Sequence, residues 1–347
     1  MQERYNNLDA LRAISCLAII AMHIKANTVF DETLSGIGGD IVSSFTQFVP
    51  LFLLISGFGM FCGYYERFKQ GTIDCNSFYT RRYKKILPFF AFLMLIDVAI
   101  SKSCEHVIEA LTQATLVFGL LPNNQLDVIG VGWTLGVIFV FYMLFPFWVF
   151  CCWSRKRALY VMVISFILSL FCTGYYFTNK FVITSFSSRH NFLYDAPLFV
   201  GGGLLYLFRQ EIKTVVSKYN IASISILILA TILWFVTPSS VYGIEIWMPK
   251  NLILFSCWMC CAISLPSRLL DNKIMHYLGG ISLELYLAQM IIFRGFEKLN
   301  VLYVCGKGWL GFVYIWSLVI LGLIVFIELW KRVIIFLNID RHRLGKI

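Results

Sequence analysis

Apolar and polar residues along the chain alternate in long blocks, not residue by residue. Ten near-continuous apolar runs occupy 11–30, 42–63, 86–103, 132–153, 158–177, 192–208, 221–237, 251–266, 275–293 and 310–330. A helix needs roughly 17–25 such residues to cross the hydrocarbon of a bilayer, whereas a membrane strand needs only about ten and alternates strictly. The pattern predicts an all-α polytopic membrane protein of about ten transmembrane helices. No internal repeat, low-complexity tract or Gly/Ser linker interrupts it, and the runs consume the chain. One integral-membrane domain over 1–347, with no extra soluble domain, is therefore expected. The first run is not read as a cleaved signal peptide. It holds Arg12 and His23, and no small-residue cleavage site follows.

Charge adds an orientation. The chain is 59% hydrophobic and 14% charged, far from the balance of a soluble domain. A net charge of +10 would suggest a nucleic-acid partner in a soluble chain, but here the cations cluster between the runs, so membrane lipids are the expected partner and nucleic acid is not. Arg67, Lys69, Arg81, Arg82, Lys84 and Lys85 follow the second run, and Arg155, Lys156 and Arg157 the fourth. Arg209, Lys213 and Lys218 follow the sixth, Arg268 and Lys273 the eighth, and Lys331, Arg332, Arg341, Arg343 and Lys346 the tenth. With Arg4 and Arg12 these are most of the 29 Lys and Arg residues, and they fall on one side. The positive-inside rule makes that side the cytoplasm and places both termini there. The opposite loops hold Asp31, Glu32 and Asp40, then Glu105, Glu109 and Asp127. The longest, Cys104 to Val131, contains HVIEALTQATLVFGLL, which reads as an interfacial or re-entrant helix ended by Pro122 and Asn123-Asn124.

Candidate chemistry begins in the first run, LDALRAISCLAIIAMHIKAN. Arg12 and His23 are eleven residues apart, or about three turns plus 20°, so they share one helix face about 16 Å apart. An ionisable residue inside a membrane is a functional candidate by default. The bland alternatives are a positive helix flank for Arg12 and an interhelical hydrogen bond for His23. Lys25 lies about 200° from His23 and is expected to snorkel outward.

Other stretches carry weaker signals. Ser56-Gly57 in PLFLLISGFGMF allows either close helix approach or an inward hydroxyl. FYTRRYKKILPFF places four cations before a helix start marked by Pro88, for topology and head-group attraction or, packed under the bundle, for phosphates. Trp133 opens the fourth run where an aromatic belt is expected, and Tyr142 inside it needs a hydrogen-bond partner. Arg189, His190 and Asp195, and likewise Trp247, Lys250 and Asn251, read as interfacial anchors; Gly201-Gly202-Gly203 reads as tight packing or a bend. Glu284, with Ser282, Tyr286 and Gln289 nearby, lies within the ninth run and must pair or take a proton. The eleven cysteines, including the lone CxxC of Cys257 and Cys260, read as buried small hydrophobes, with Cys104 and Cys305 placed where they could pair; no metal site is expected.

In this order the stretches resemble the acyltransferase-3 family, integral-membrane acyltransferases that modify bacterial surface glycans and lipids. The most specific element is the R-x10-H arrangement of Arg12 and His23. Looser ones are PLFLLISGFGMF, RRYKKILP, WTL…FY…FP, LFVGGGLL and LGGISLELYLAQ. The resemblance implies residence in the bacterial cytoplasmic membrane, acetyl-CoA or another acyl-CoA as cytoplasmic donor, and a sugar hydroxyl of a glycan or glycolipid as outer acceptor. It further implies Arg12, Arg81, Arg82 and Lys85 at the nucleotide, His23 as general base or transient acyl carrier, and Ser56, Trp133, Tyr142, Glu284 and Gln289 as acceptor or supporting residues. Two positions depart from the family pattern. Ile138 and Phe139 stand where a glutamate is frequent, and Gln289 stands where the ninth-run motif often ends in histidine. The rival classes are a glycan exporter or flippase without chemistry, and a membrane sensor.

Overall fold

The computed structural model describes residues 5–121, 126–178, 180–182, 187–241 and 244–336. Arg4, Pro122, Asn123, Asn124, Arg341, Arg343 and Lys346 lie outside the described residues. The architecture is all-helical apart from a two-strand hairpin, Ser240–Val241 paired antiparallel with Ile244–Glu245. In chain order the principal helices are α1 (Asn6–Ala26), α2 (Phe48–Met60), α3 (Cys75–Ser101), α4 (Cys104–Ala114), α5 (Trp133–Met143), α6 (Phe145–Cys151) and α7 (Arg155–Phe171). They continue with α8 (Phe192–Leu207), α9 (Arg209–Lys218), α10 (Asn220–Val236), α11 (Trp247–Ser264), α12 (Lys273–Gly280), α13 (Ser282–Lys298) and α14 (Trp309–Phe336).

Among the described residues, four helical stretches are long and apolar enough to cross a membrane: Asn6–Ala26, Ile37–Lys69, Arg155–Tyr176 and Trp309–Phe336. Two bent pairs raise the number to six. One bends by 55° between Met143 and Phe145, and the other by 102° between α9 and α10. The remaining expected spans are also helical, and three of them are shorter or more charged. α8 has 16 residues, α13 has 17 with Glu284 in its first turn, and α3 carries the Arg81–Lys85 cluster. Many apolar side chains along α7, α10 and α14 remain exposed, among them Ile164, Ile228 and Val325, as lipid-facing helices require.

The chain divides into two compact units. The first comprises the residues up to Leu8 together with Pro50–Asp271, and the second Asp9–Val49 together with the chain from Asn272 onward. In the first unit, α2 and α8 meet backbone to backbone. A Cβ at Gly57 would overlap the Phe199 carbonyl, and one at Gly202 the Leu54 carbonyl, so the glycines of both motifs serve close packing. Helix α3 starts eleven residues before the expected 86. Asp74 caps it, its side chain accepting from the Ser77 amide at 2.7 Å, and those bonds hold the Asp74 carboxyl below the usual carboxylate range. Pro88 therefore lies inside a 27-residue helix and does not start it.

The outer segment also differs from expectation. α4 stops at Ala114, short of Pro122, because Leu116 turns the chain at φ 60°. The following turn, Phe118–Leu120, returns to α5, where Gly119 packs on the Gly136 carbonyl. Cys104 and Cys305 are both free, exposed thiols, as is Cys75; the other cysteines are buried or half-buried.

In the second unit the ninth run is two helices, not one. α12 ends at Gly280 and α13 begins at Ser282. Gly279 sits so close to the Asp9 carbonyl that a Cβ would overlap it, which presses α12 onto the start of α1. The break moves Glu284 from the expected mid-span position to the first turn of α13.

Candidate functional site

Helix α1 runs without interruption from Asn6 to Ala26, so Arg12 and His23 do share a face about 16 Å apart. α13 lies beside it in the same direction. Cys16 Sγ donates to the Ser282 carbonyl at 3.5 Å, and seven residues on in both helices His23 Nδ1 meets Gln289 Oε1 at 3.0 Å. Seven residues are close to two turns, so the two contacts fall on one line. Glu284 is half-buried and within electrostatic range of Cys16.

Gln289 determines the state of the imidazole. It is 1% exposed, and its Nε2 donates to the Tyr286 carbonyl at 2.8 Å. A carbonyl oxygen only accepts, so the amide nitrogen is committed to Tyr286 and the amide oxygen faces His23. That oxygen too only accepts. His23 Nδ1 must carry the hydrogen, which leaves Nε2 with its lone pair. Gln289 thus orients His23.

At the other end of the face, Arg12 Nη1 pairs with Asp9 Oδ1 at 3.0 Å, and Asp9 Oδ2 lies 3.4 Å from His276 Nδ1. The Arg12 side chain stays 33% exposed. Lys25 corrects its expectation. It is 5% exposed, and its Nζ donates to Asp31 Oδ1 at 2.8 Å and Ser43 Oγ at 2.9 Å. The chain after α1 folds back and supplies an anion, so the ammonium need not reach solvent.

The first unit holds a separate cluster. Arg82 is 7% exposed, whereas Arg81, Lys84 and Lys85 are exposed, so the four cations sit in different surroundings. The Arg82 guanidinium lies 4.7 Å from the Tyr64 ring centroid and 5.6 Å from that of Tyr142, and its Nη2 donates to Tyr64 Oη at 2.5 Å. Its Nε is buried without a hydrogen-bond partner, and among the described residues no carboxylate closes an ion pair on it. Ser56 Oγ and Tyr142 Oη share a hydrogen bond at 2.7 Å, which brings two further sequence candidates to this cluster. Phe139 is fully buried in an edge contact with Tyr83, so the position of the missing glutamate is apolar core.

At the starts of α8 and α11 the anchor reading fails for three residues. Asp195 and Asn251 are each 1% exposed, and Trp247 is 3% exposed. Asn251 accepts from Trp234 Nε1 at 3.0 Å and donates to the Trp247 carbonyl at 2.9 Å. Trp133, half-buried, stacks on His190 at 4.5 Å and does not stand alone as a belt residue. Asp9 and Tyr64 gave no sequence signal, because a flank carboxylate and an apolar-run tyrosine are both commonplace. Among the described residues no group of three or more His, Cys, Asp or Glu side chains could hold a metal ion.

A protein-family model described as an acyltransferase domain matches residues 5–330, a stretch that includes both units. Comparison with curated proteins and with solved structures gives no match.

Proposed function

Since the chain belongs to the acyltransferase-3 family of membrane acyltransferases, we propose that it moves an acyl group, acetyl in the simplest case, from acyl-CoA to a sugar hydroxyl. In this reading the donor is cytoplasmic and the acceptor is an extracytoplasmic or lipid-linked glycan. All ten apolar runs cross the membrane, both termini are cytoplasmic, and the protein resides in a bacterial cytoplasmic membrane.

The observation that carries the proposal is the Tyr286–Gln289–His23 chain of hydrogen bonds. A hydroxyl is a poor nucleophile until a base takes its proton, and His23 Nε2 is the free lone pair that can do so. The alkoxide oxygen forms a bond to the thioester carbonyl carbon as the C–S bond breaks. CoA leaves as the thiolate, and the proton on His23 passes to it. Gln289 keeps the imidazole in the productive tautomer, a role that needs an acceptor at Nδ1 and no charge.

The donor's phosphates call for a cation that no protein carboxylate has claimed. Arg82 meets that condition, and its planar fork suits a phosphate oxygen pair. Arg81 and Lys85, being exposed, contribute longer-range attraction, and Arg12 is the corresponding cation of its own unit. The test is acyl-CoA consumption by purified protein in nanodiscs, with and without an acceptor sugar. Acceptor-dependent release of CoA is the expected result. Sugar transport across vesicles without thioester consumption would replace the enzyme by an exporter.

A further inference from the structure

Arg189, His190 and Asp195 form, with Trp133, Tyr194 and Trp247, a cluster at one end of the first unit. Trp133 is the first residue of α5, Trp247 the first of α11, and Asp195 lies in the first turn of α8. The Arg189 guanidinium rests 4.4 Å from the Trp247 ring centroid, and Trp247 in turn stacks on Tyr194 at 5.7 Å. Beside them the Trp133 and His190 rings stack at 4.5 Å, with 24° between their planes. The backing residues Asp195, Tyr194 and Trp247 are buried, while Arg189, His190 and Trp133 keep partial exposure.

Asp195 is the anomaly. Its carboxylate is 1% exposed, and Oδ2 has no hydrogen-bond partner among the described residues. Arg189 is within electrostatic range, yet it does not close an ion pair at 4.0 Å. A buried carboxylate oxygen left unpaired is costly, and the helix start at Asp195 offsets only part of that cost. A hydroxyl group can donate to a carboxylate and accept from a guanidinium at once, which is what the open valence of Asp195 beside Arg189 calls for. The cluster offers one acidic and one basic group, so it suits a neutral polyol better than an anion. The half-exposed Trp133–His190 stack offers the flat face against which the C–H side of a pyranose ring packs.

We infer that this cluster binds the acceptor sugar, a neutral pyranoside whose hydroxyl bridges Arg189 and Asp195. The inference rests on the acyltransferase reading for the word acceptor, but sugar binding here does not require acyl transfer. The experiment uses the full chain in nanodiscs, with methyl β-D-glucopyranoside, methyl β-D-galactopyranoside and N-acetylglucosamine as probes, and follows tryptophan fluorescence. Saturable change with at least one probe is expected. The half-saturating concentration should rise at least tenfold in both Asp195→Asn and Arg189→Lys, while acyl-CoA affinity stays within threefold. Because Asp195→Asn alters a buried group, Arg189→Lys, at a half-exposed position, serves as the second variant. No saturable change in the wild type, or the same half-saturation in Arg189→Lys, would overturn the inference. Absence of thioester consumption in a protein that still binds sugar would instead count against the proposed function alone.

Discussion

The α1–α13 seam and the Arg82 cluster solve opposite electrostatic problems. Along the seam every polar contact around His23 is uncharged: an imidazole on an amide, and an amide on a backbone carbonyl. Around Arg82 a full charge is buried and, among the described residues, left without a counter-ion, held by phenol rings and one hydroxyl. A base needs a fixed orientation and a neutral partner so that it stays able to accept a proton. An anion site needs a cation that has not already collapsed onto a carboxylate. The cost of the second arrangement is several kcal/mol for a buried ion, offset in part by cation–π contacts of up to about 2 kcal/mol each. Arg12 shows the contrast from within the seam's own unit. It is satisfied by Asp9 and open to solvent, which suits a positioning charge more than a tight phosphate site.

The comparison can be broken in four places. The largest effect is expected at the seam. His23→Ala should lower single-turnover transfer by about 10²–10⁴-fold, the usual worth of a general base, with acyl-CoA affinity unchanged. Next is Arg82→Ala, which should weaken acyl-CoA binding about 10–100-fold through loss of a charge-assisted contact. Transfer at saturating donor should fall little. Arg82→Lys should fail to restore binding, because an ammonium cannot reproduce the fork or the stacking. Equal loss of rate and affinity in both variants would erase the division of labour. A third substitution, Gln289→Leu, removes one orienting hydrogen bond and should cost about five- to tenfold in rate, read by the same single-turnover assay. The smallest effect is expected for Arg81→Ala and Lys85→Ala. Donor affinity should change less than about threefold, and its dependence on salt should flatten, since exposed charges are screened.

How much of this was legible depends on what a single helix can reveal. Arg12 and His23 were visible as a pair because periodicity fixes positions along one helix. Gln289 was visible as a departure and as a supporting residue, but its contact with His23 was not, since the register between α1 and α13 is set by packing, which periodicity does not encode. The break at Ile281 was hidden because LGGISLEL is apolar on both sides and glycines are ordinary in membrane helices. The true start of α3 lay in a polar stretch, where the Asp74–Ser77 cap, not hydropathy, marks the helix end. Lys25 was misjudged because a helical wheel cannot foresee a loop that returns with Asp31 and Ser43. Asp195 was misjudged for a related reason. Polar residues at helix starts are normally solvated, and only tertiary packing around α8 buries this one.

The central claim is that Gln289 fixes His23 with its hydrogen on Nδ1 and a free Nε2. It is tested most directly by nitrogen NMR of the full chain labelled with 15N-histidine in nanodiscs. The His23 signal, assigned by its loss in His23→Ala, should show a protonated Nδ1 and a bare Nε2 at the pH of the transfer assay. Gln289→Leu should abolish that preference. A His23 ring protonated on Nε2, or on both nitrogens, in the unsubstituted protein would contradict the account.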